Sequence, residues 1–216
     1  EMALNGAFFG KVETVDLGKM NDRIFVNAAS VGFDARVAKY SENLRNKWHF
    51  FPAVFIYLIA LLRELFFKIR YPYIEINLFR DEKQFEKIRE RITLVAVANG
   101  HTYGGKFRIA PHADLKDGFL DVCLIKKISR IRIFKFIPRV FKGTHLEIPE
   151  VKKDIDGKLP KVFSLTISSL ENKNLPCQVD GEIPPFQKEY KITVLPKALK
   201  IMVPKIPRFK PRDLLF

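Results

Sequence analysis

The chain has 216 residues, which is enough to bury a hydrophobic core without a disulfide or a structural metal. Its two cysteines, Cys123 and Cys177, belong to no Cys-x-x-Cys or Cys-x-x-His pattern, which argues against a zinc site or a disulfide framework and favours a reducing, cytoplasmic compartment. With 38 Lys and Arg against 24 Asp and Glu, the formal net charge is +14, so the surface favours polyanionic partners.

Short strand patterns separated by turns dominate the sequence and are interrupted by two helical patterns. This arrangement predicts a mainly β domain with inserted helices, an antiparallel β-sandwich-like fold rather than a doubly wound nucleotide-binding fold. The domain is expected to span residues 1–203, and the basic, proline-rich residues 204–216 are expected to form an extended tail. The strands are predicted at 12–18, 23–29, 73–79, 92–98, 120–125, 162–168, 177–179, 189–195 and 199–203, and the helices at 52–67 and 130–141.

The first helical pattern is strongly apolar from Phe50 to Leu62. It is too short to cross a bilayer, which takes about 20 apolar residues, because Arg63 and Glu64 follow at once. We therefore expect a helix that is buried or docked at a membrane interface. No signal peptide is recognised, and the strand pattern that starts close to Glu1 suggests a domain cut from a longer protein.

The second helical pattern alternates basic and apolar residues from Lys126 to Lys142. Two interpretations remain open: a cationic amphipathic helix that contacts a membrane surface, or an ordinary surface helix whose apolar face belongs to the core. A nucleic-acid-binding function is supported by the net charge alone, since no RNP-type aromatic motif, Cys/His finger or arginine-rich arm is present.

Two glycine-containing segments carry the residue types that phosphoryl transfer requires, namely a base, cation ligands and backbone that permits close approach. In Gln178–Glu182, the Asp180-Gly181 pair predicts a tight turn that presents Glu182. A plain hairpin with a solvated glutamate explains the same pattern.

The other segment runs from Asn99 to Val122. Its glycines permit unusual backbone conformations, and its carboxylates are the hard oxygen ligands that Mg²⁺ prefers, although solvated turn residues would look the same. The four histidines are scattered, and no Gly-x-Ser-x-Gly or His-Glu-x-x-His motif is present, so hydrolase chemistry has no support. The residues concerned are Asn99, Gly100, Gly104, Gly105, Asp114, Asp117 and Asp121.

Both segments resemble the C-terminal domain of bacterial diacylglycerol kinases, a family that includes the sphingosine kinases. The resemblance is carried by Gln-Val-Asp-Gly-Glu, by Asn-Gly, Tyr-Gly-Gly, Ile-Ala-Pro and Asp-Gly-x-x-Asp, and by an Asn-x-x-Ser-x-Gly-Phe-Asp segment. The last segment supplies Asn27, Ser30, Gly32 and Asp34, where Asn27 and Asp34 are expected to hold backbone by hydrogen bonds. The sequence departs from the family at Lys106, which stands where a third glycine is usual.

The resemblance implies a fold of the NAD kinase/diacylglycerol kinase type and assigns roles to individual residues. Glu182 would be the proton acceptor, and Mg²⁺ would be held by the Asp117 carboxylate and the main-chain oxygens of Asp114 and Phe119. Asp180, Gly181, Asn99, Gly100, Gly104, Gly105 and Asp121 would support the two motifs.

The resemblance also implies an ATP-dependent transfer to the hydroxyl of diacylglycerol, or of a sphingoid or ceramide lipid. ATP would be bound by an N-terminal domain with a Gly-Gly-Asp-Gly-Thr loop, which this chain lacks, so we expect the isolated chain to be inactive. Expected partners are the lipid substrate, a membrane surface and a second copy of the chain, but not nucleic acid. The alternative from another functional class is a non-catalytic basic module that binds anionic lipid or nucleic acid.

Overall fold

The fold is that of a computed structural model, which describes residues 10–48, 50–80, 83–102 and 107–204. Ten strands and three α-helices are present in this part of the chain. They are β1 (Lys11–Met20), β2 (Arg23–Phe25), β3 (Ala28–Gly32), α1 (Phe33–Arg45), α2 (Ala53–Arg63), β4 (Tyr73–Arg80), β5 (Lys83–Ala98), β6 (Leu120–Lys126), α3 (Arg130–Lys142), β7 (Lys161–Val162), β8 (Ser164–Ser169), β9 (Cys177–Val179) and β10 (Glu189–Val203).

The strands form two antiparallel sheets that share β5. Residues 83–91 of β5 pair with β4 in a sheet of order β2-β1-β10-β8-β4-β5. Residues 92–98 pair with β3 and β6 in a sheet of order β9-β3-β5-β6-β7. This arrangement confirms the predicted mainly β, antiparallel class with inserted helices.

Two hydrophobic cores lie on opposite faces of the second sheet. Because side chains alternate along a strand, Val95 and Val97 of β5 pack into the core between the sheets, whereas Leu94 and Ala96 pack into the core under the helices. A strand that is covered on both faces has a continuous run of apolar residues. For this reason the sequence after residue 91 predicts the second half of β5 well.

The helix α1 was not predicted, because the sequence interpretation took the residues after β3 as a strand followed by a loop. Phe33, Val37 and Leu44 are buried along one helical face of α1, at spacings that follow the helical repeat. The helix packs against α2 through Arg36, which donates to the buried Glu64 carboxylate at 2.7 and 2.9 Å.

Several further element boundaries differ from the prediction. The predicted strand 23–29 is divided into β2 and β3, and the charged first half of β5 was missed because its residues alternate only weakly. The helix predicted at 52–67 consists of α2 followed by a π-helical turn, Glu64–Lys68. The strands predicted on either side of Pro196 are one strand, β10, with an irregular register opposite Val15 and Leu17 of β1.

Some expectations fall outside the described residues. These are the roles of Gly104 and Gly105, the departure at Lys106, and the conformation of the tail after Pro204.

Among the helices that the structure describes, none is both long and apolar enough to cross a membrane.

His145 is a buried titratable group in the core under the helices. Its Nε2 lies 3.0 Å from the main-chain oxygen of Ile109, and its ring packs edge-on against Phe136. Burial lowers the pKa of the imidazole, and the contact with Ile109 offsets only part of this effect. The folded protein therefore holds His145 neutral under conditions in which an unfolded chain would already bind a proton.

We predict that the free energy of unfolding decreases as the pH falls below about 6.5, the ordinary pKa of histidine, because the unfolded state then binds more protons than the folded state. His145→Gln keeps an N–H donor but does not titrate. Its unfolding free energy, measured by urea denaturation between neutral and mildly acidic pH, should lack this component. Parallel pH profiles for the two proteins would show that His145 does not contribute.

Candidate active site

A two-residue turn after β9 carries the predicted base. Val179 and Glu182 exchange two backbone hydrogen bonds, each of 2.9 Å. Asp180 and Gly181 both have positive φ, 46° and 89°. These values define a type I′ hairpin turn, for which Asp-Gly is a preferred pair. The predicted tight turn is therefore present, and it fixes the point at which the Glu182 side chain leaves the backbone.

The Asp180 carboxylate anchors this turn to the connection between β2 and β3. It accepts backbone hydrogen bonds from Val26 at 2.7 Å, Asn27 at 3.1 Å and Ala28 at 2.8 Å. The backbone N–H of Asp180 donates in turn to the main-chain oxygen of Ala28 at 2.9 Å. Because its oxygens are engaged by backbone donors, Asp180 is suited to positioning the turn rather than to moving protons.

Glu182 projects into solvent from the end of the turn, with 75% of its side chain exposed. One of its carboxylate oxygens accepts a hydrogen bond of 2.9 Å from Nη1 of Arg23 on β2. No local pattern distinguishes Arg23 from the other Lys and Arg residues, 38 in all, because its pairing with Glu182 bridges 159 positions of the chain.

The Asn-Gly pair after β5 is held against the same β2–β3 connection. The backbone N–H groups of Asn99 and Gly100 donate to the main-chain oxygen of Asn27 at 2.9 and 3.1 Å. A Cβ at Gly100 would lie 2.4 Å from Oδ1 of Asn27, so a larger residue there would displace the Asn27 amide. The Asn27 amide donates to the main-chain oxygen of Thr102 at 2.6 Å, as expected for a residue that holds backbone.

A chain of side-chain hydrogen bonds connects β9 to the start of α1. Gln178 Nε2 donates to the Ser30 hydroxyl at 2.9 Å, and that hydroxyl donates to the Asp34 carboxylate. Gln178 and Ser30 are buried. In this network Asp34 accepts from a side chain, and the expected hydrogen bond between Asp34 and the backbone stays a prediction.

In the acidic loop, two carboxylates stabilise their own turns. Asp114 accepts from the backbone N–H of Lys116 and Asp117 from that of Phe119, each at 3.0 Å. The other oxygen of Asp117 forms an ion pair with Nζ of Lys161 on β7. The carboxylate that was predicted to bind Mg²⁺ is therefore paired with an ammonium group in this structure.

Lys161 also lies 3.7 Å from the buried Asp121 carboxylate. The pKa of Asp121 is raised to about 6, chiefly by burial; Lys161 opposes this rise, and the neighbouring Asp117 adds to it. The same oxygen of Asp121 has no hydrogen-bond partner among the described residues. No group of three or more His, Cys, Asp and Glu side chains in the described ranges is arranged to hold a metal ion.

The carboxylate of Asp16, a buried residue of β1, holds the acidic loop in place. The sequence interpretation missed this residue. Its carboxylate accepts from the backbone N–H of Gly118 and from that of Lys197, each at 2.7 Å. Its own N–H donates to the main-chain oxygen of Leu115 at 2.7 Å. The available signal was an aspartate within an otherwise apolar stretch, Val15–Leu17, where a charge is costly unless it is paired.

The two predicted segments are connected through the residues between β2 and β3, which the Asp180 carboxylate and the Asn99 side-chain amide both hold. The Asn99 amide donates to the main-chain oxygens of Asp16 at 2.8 Å and Val26 at 2.7 Å. It thereby joins the residue that holds the acidic loop to the segment that Asp180 holds. No hydrogen bond or ion pair between described residues joins Glu182 directly to Asp114 or Asp117.

A polar cleft of about 490 Å³ opens beside the Asp-Gly turn, and it adjoins an apolar cavity of about 80 Å³ under the helices. Asp34 and Tyr57 line both spaces. Burial and the nearby Asp34 raise the pKa of the Tyr57 phenol to about 12, so it keeps its proton at neutral pH. The cleft is lined by Asn27, Ala28, Asp34, Ala38, Ser41, Arg45, Tyr57, Gln178, Asp180 and Gly181.

Comparison with solved structures supports the fold. The crystal structure of a provisionally named diacylglycerol kinase from Bacillus anthracis strain Sterne is similar over 94% of this chain and 58% of its own, with a TM-score of 0.64 and 20% identity. A second diacylglycerol kinase structure from that organism has a TM-score of 0.52 and 16% identity, over 94% of this chain and 56% of its own. At this identity the likeness establishes the architecture.

Sequence comparison identifies the family. A diacylglycerol kinase of Mycobacterium tuberculosis is 30% identical over 91% of this chain and 59% of its own length. A protein of Shewanella frigidimarina named as a probable YegS-like lipid kinase is 27% identical over 94% of this chain and 60% of its own. The chain thus spans about three fifths of the length of these relatives. Because the model of the YegS C-terminal NAD kinase beta sandwich-like domain matches residues 27–203, the chain belongs to this domain family.

Proposed function

We propose that this chain is the lipid-binding half of an ATP-dependent lipid kinase of the diacylglycerol type and that it supplies the general base. The observation that carries the proposal is the adjacency of two spaces at Asp34 and Tyr57: a polar cleft next to the Glu182 turn and an apolar cavity behind it. An amphiphile with a hydroxyl at one end matches this division. The relatives named as diacylglycerol and lipid kinases support the same reaction class.

In the proposed reaction, the lipid hydroxyl oxygen attacks the γ-phosphorus of ATP while its proton passes to the Glu182 carboxylate. The bond between the γ-phosphorus and the bridging oxygen breaks, and ADP leaves. The type I′ turn sets the position of Glu182, and the Arg23 guanidinium, 2.9 Å away, orients its carboxylate. Such transfer depends mainly on positioning and on charge stabilisation, so the chain must hold the base and the hydroxyl together.

ATP would be bound mainly outside this chain, as the family resemblance implies. The chain covers 59% of the Mycobacterium tuberculosis relative, which leaves room in such a protein for a nucleotide domain. We therefore propose that the isolated chain has no kinase activity and that Glu182 acts at a cleft between two domains.

The lipid tail would lie in the apolar cavity under the helices. Phe33 and Val37 of α1, Leu61 of α2 and Phe136 and Val140 of α3 contribute to its walls. A volume of about 80 Å³ accommodates a few methylene groups, since one water molecule takes about 30 Å³ of liquid. A longer acyl or sphingoid chain would have to extend between the helices.

The acidic loop offers the hard oxygen donors that suit Mg²⁺: the Asp117 carboxylate, nearby main-chain oxygens and the unpartnered oxygen of Asp121. The donors fit the ion, but the Lys161 ammonium already pairs with Asp117 and lies 3.7 Å from that oxygen of Asp121. A bound ion would stabilise the loop that Asp16 holds. We propose that Mg²⁺ and the Lys161 ammonium compete for this place.

The alternative function is a non-catalytic basic module that binds anionic lipid or nucleic acid. The net charge of +14 favours it. Such a module would not need Glu182, because a carboxylate that is exposed at the tip of a hairpin weakens rather than strengthens the attraction to a polyanion.

The base is tested by Glu182→Gln in the full-length protein that contains this chain. The amide cannot accept the hydroxyl proton, so transfer of labelled phosphate from ATP to lipid should fall by about 100-fold or more, while lipid binding is kept. Arg23→Gln, which removes the partner but not the base, should cost less. The binding-module alternative gains support if the wild type labels neither diacylglycerol, sphingoid base nor ceramide.

The competition at the acidic loop is tested by Lys161→Met. Without the ammonium group, the ion should bind more tightly, and so the rise in melting temperature on adding Mg²⁺ should be larger in the variant than in the wild type. Lys158→Met is a matched control on the exposed turn before β7. Equal Mg²⁺-dependent shifts in all three proteins, measured by thermal unfolding with and without EDTA, would contradict the competition.

The tail site is tested by Leu61→Trp, which fills the apolar cavity from α2. Exclusion of two methylene groups costs about 1.6 kcal/mol, or roughly a tenfold loss in kcat/KM for long-chain lipid. Leu62→Trp places the same bulk on a neighbouring residue that does not line the cavity. Equal losses in both variants, or equal losses for short-chain and long-chain substrates, would show that the cavity does not hold the tail.

A further inference from the structure

A stripe of exposed aromatic and aliphatic side chains runs along the outer face of α2 and its π-helical turn. Phe51, Phe55, Ile59 and Phe66 recur at helical spacing and are exposed, and Phe67 beside them has 77% of its surface exposed. The inner face of the same helix carries the buried Ile56 and Ala60. A helix that is apolar on both faces has one face available for another apolar environment.

The N-terminal turn of α3 extends this stripe. The Phe66 and Phe134 rings lie 5.6 Å apart, and Arg130 donates a hydrogen bond to the main-chain oxygen of Phe66. Ile131, next to Arg130, is 76% exposed. We define the apolar patch as Phe51, Phe55, Ile59, Phe66, Phe67, Ile131 and Phe134.

Basic residues border the apolar patch. Lys68 ends the π-helical turn and Arg70 follows it, and Arg130 and Lys135 lie on the exposed face of α3. The helix α3 contains no acidic residue, and no ion pair between described residues engages Lys135 or Lys142. This combination of exposed apolar side chains with a border of one sign of charge is complementary to a bilayer with anionic head groups.

The inner faces of the two helices line the apolar cavity. Leu61 of α2 and Phe136 and Val140 of α3 contribute to its walls, while the outer faces carry the patch. Docking by the outer faces would therefore bring the cavity next to the bilayer surface, with α2 and α3 between the two. We propose that the apolar patch is a peripheral docking surface for anionic lipid bilayers, through which the lipid reaches the cavity between α2 and α3.

This inference rests on the proposed function and deepens it by naming the surface from which the substrate is taken. Nucleic acid is disfavoured as the occupant, because the patch contributes exposed phenylalanines rather than hydrogen-bonding side chains at its centre. Trp48, the one tryptophan of the chain, lies at its edge with its ring 5.5 Å from that of Phe51.

The experiment measures co-sedimentation of the full-length protein with phosphatidylcholine vesicles that contain or lack phosphatidylglycerol. The wild type should bind the anionic vesicles. Phe67→Ser with Ile131→Ser should weaken binding by about tenfold or more, through the loss of buried apolar area. Lys68→Glu with Lys135→Glu should weaken it by about tenfold or more at low salt and less at high salt.

Matched controls carry the same changes elsewhere. Ile155→Ser with Met202→Ser alters two exposed apolar residues outside the patch, and Lys188→Glu with Lys200→Glu alters two exposed charges, one directly before β10 and one on it. Neither control should change vesicle binding by more than about twofold, and the charge control measures what net charge alone contributes. Equal losses in control and patch variants would overturn the assignment of the surface.

Quenching by lipids with brominated tails tests insertion directly. The difference in quenching between the wild type and Trp48→Phe isolates the signal of Trp48, and we expect it to be quenched in anionic vesicles. Absence of Trp48 quenching would overturn the proposal. So would binding to a DNA duplex that competes with vesicles and is unchanged by Phe67→Ser with Ile131→Ser.

The proposed docking surface and the proposed kinase function can be refuted independently of each other. Glu182→Gln should lose phosphoryl transfer but keep vesicle binding. The apolar patch variant should lose vesicle binding but keep transfer to a short-chain lipid presented in detergent. An apolar patch variant that binds vesicles normally overturns the docking surface even where the kinase assay succeeds.

Discussion

The candidate site depends on the hydrogen bonds that the Asp180 carboxylate accepts from three consecutive backbone N–H groups. Hydrogen bonds to a charged acceptor contribute about 1.5–3 kcal/mol each, more than bonds between neutral groups. These bonds fix Val26 to Ala28, and the same segment then accepts the N–H groups of Asn99 and Gly100 through the Asn27 oxygen. One carboxylate thus sets the positions of the Glu182 turn and of the Asn-Gly loop together.

A second carboxylate, Asp16, has the corresponding role for the acidic loop. It is fully buried, and its oxygens accept from Gly118 and Lys197, which lie in two segments remote in sequence. A buried charge of this kind costs free energy unless its donors are in place, so it specifies one arrangement of the segments it joins. The Asn99 amide links the two carboxylate-centred networks by bonding the main-chain oxygens of Asp16 and Val26.

A structural feature could be predicted from the sequence where the residues that determine it are close together along the chain. The Asp-Gly turn is encoded in two adjacent residues whose backbone preferences match a type I′ hairpin, and strands covered on both faces appear as apolar runs. The pairing of Arg23 with Glu182 spans 159 positions, and that of Asp16 with Lys197 spans 181, so neither leaves a local pattern. The helix α1 was missed for a different reason: it starts directly after β3, where Gly32 alone marks the change of direction.

The exposure of Glu182 bears on how such a site would be completed. A base that serves phosphoryl transfer has to act where water is excluded, since water would otherwise compete for the phosphoryl group. The described part of the chain leaves three quarters of the Glu182 side chain exposed, while it holds the backbone of the turn rigidly. Under the proposed function, the chain therefore contributes the position of the base, and exclusion of water has to come from the bound lipid and from a nucleotide domain that closes over the cleft.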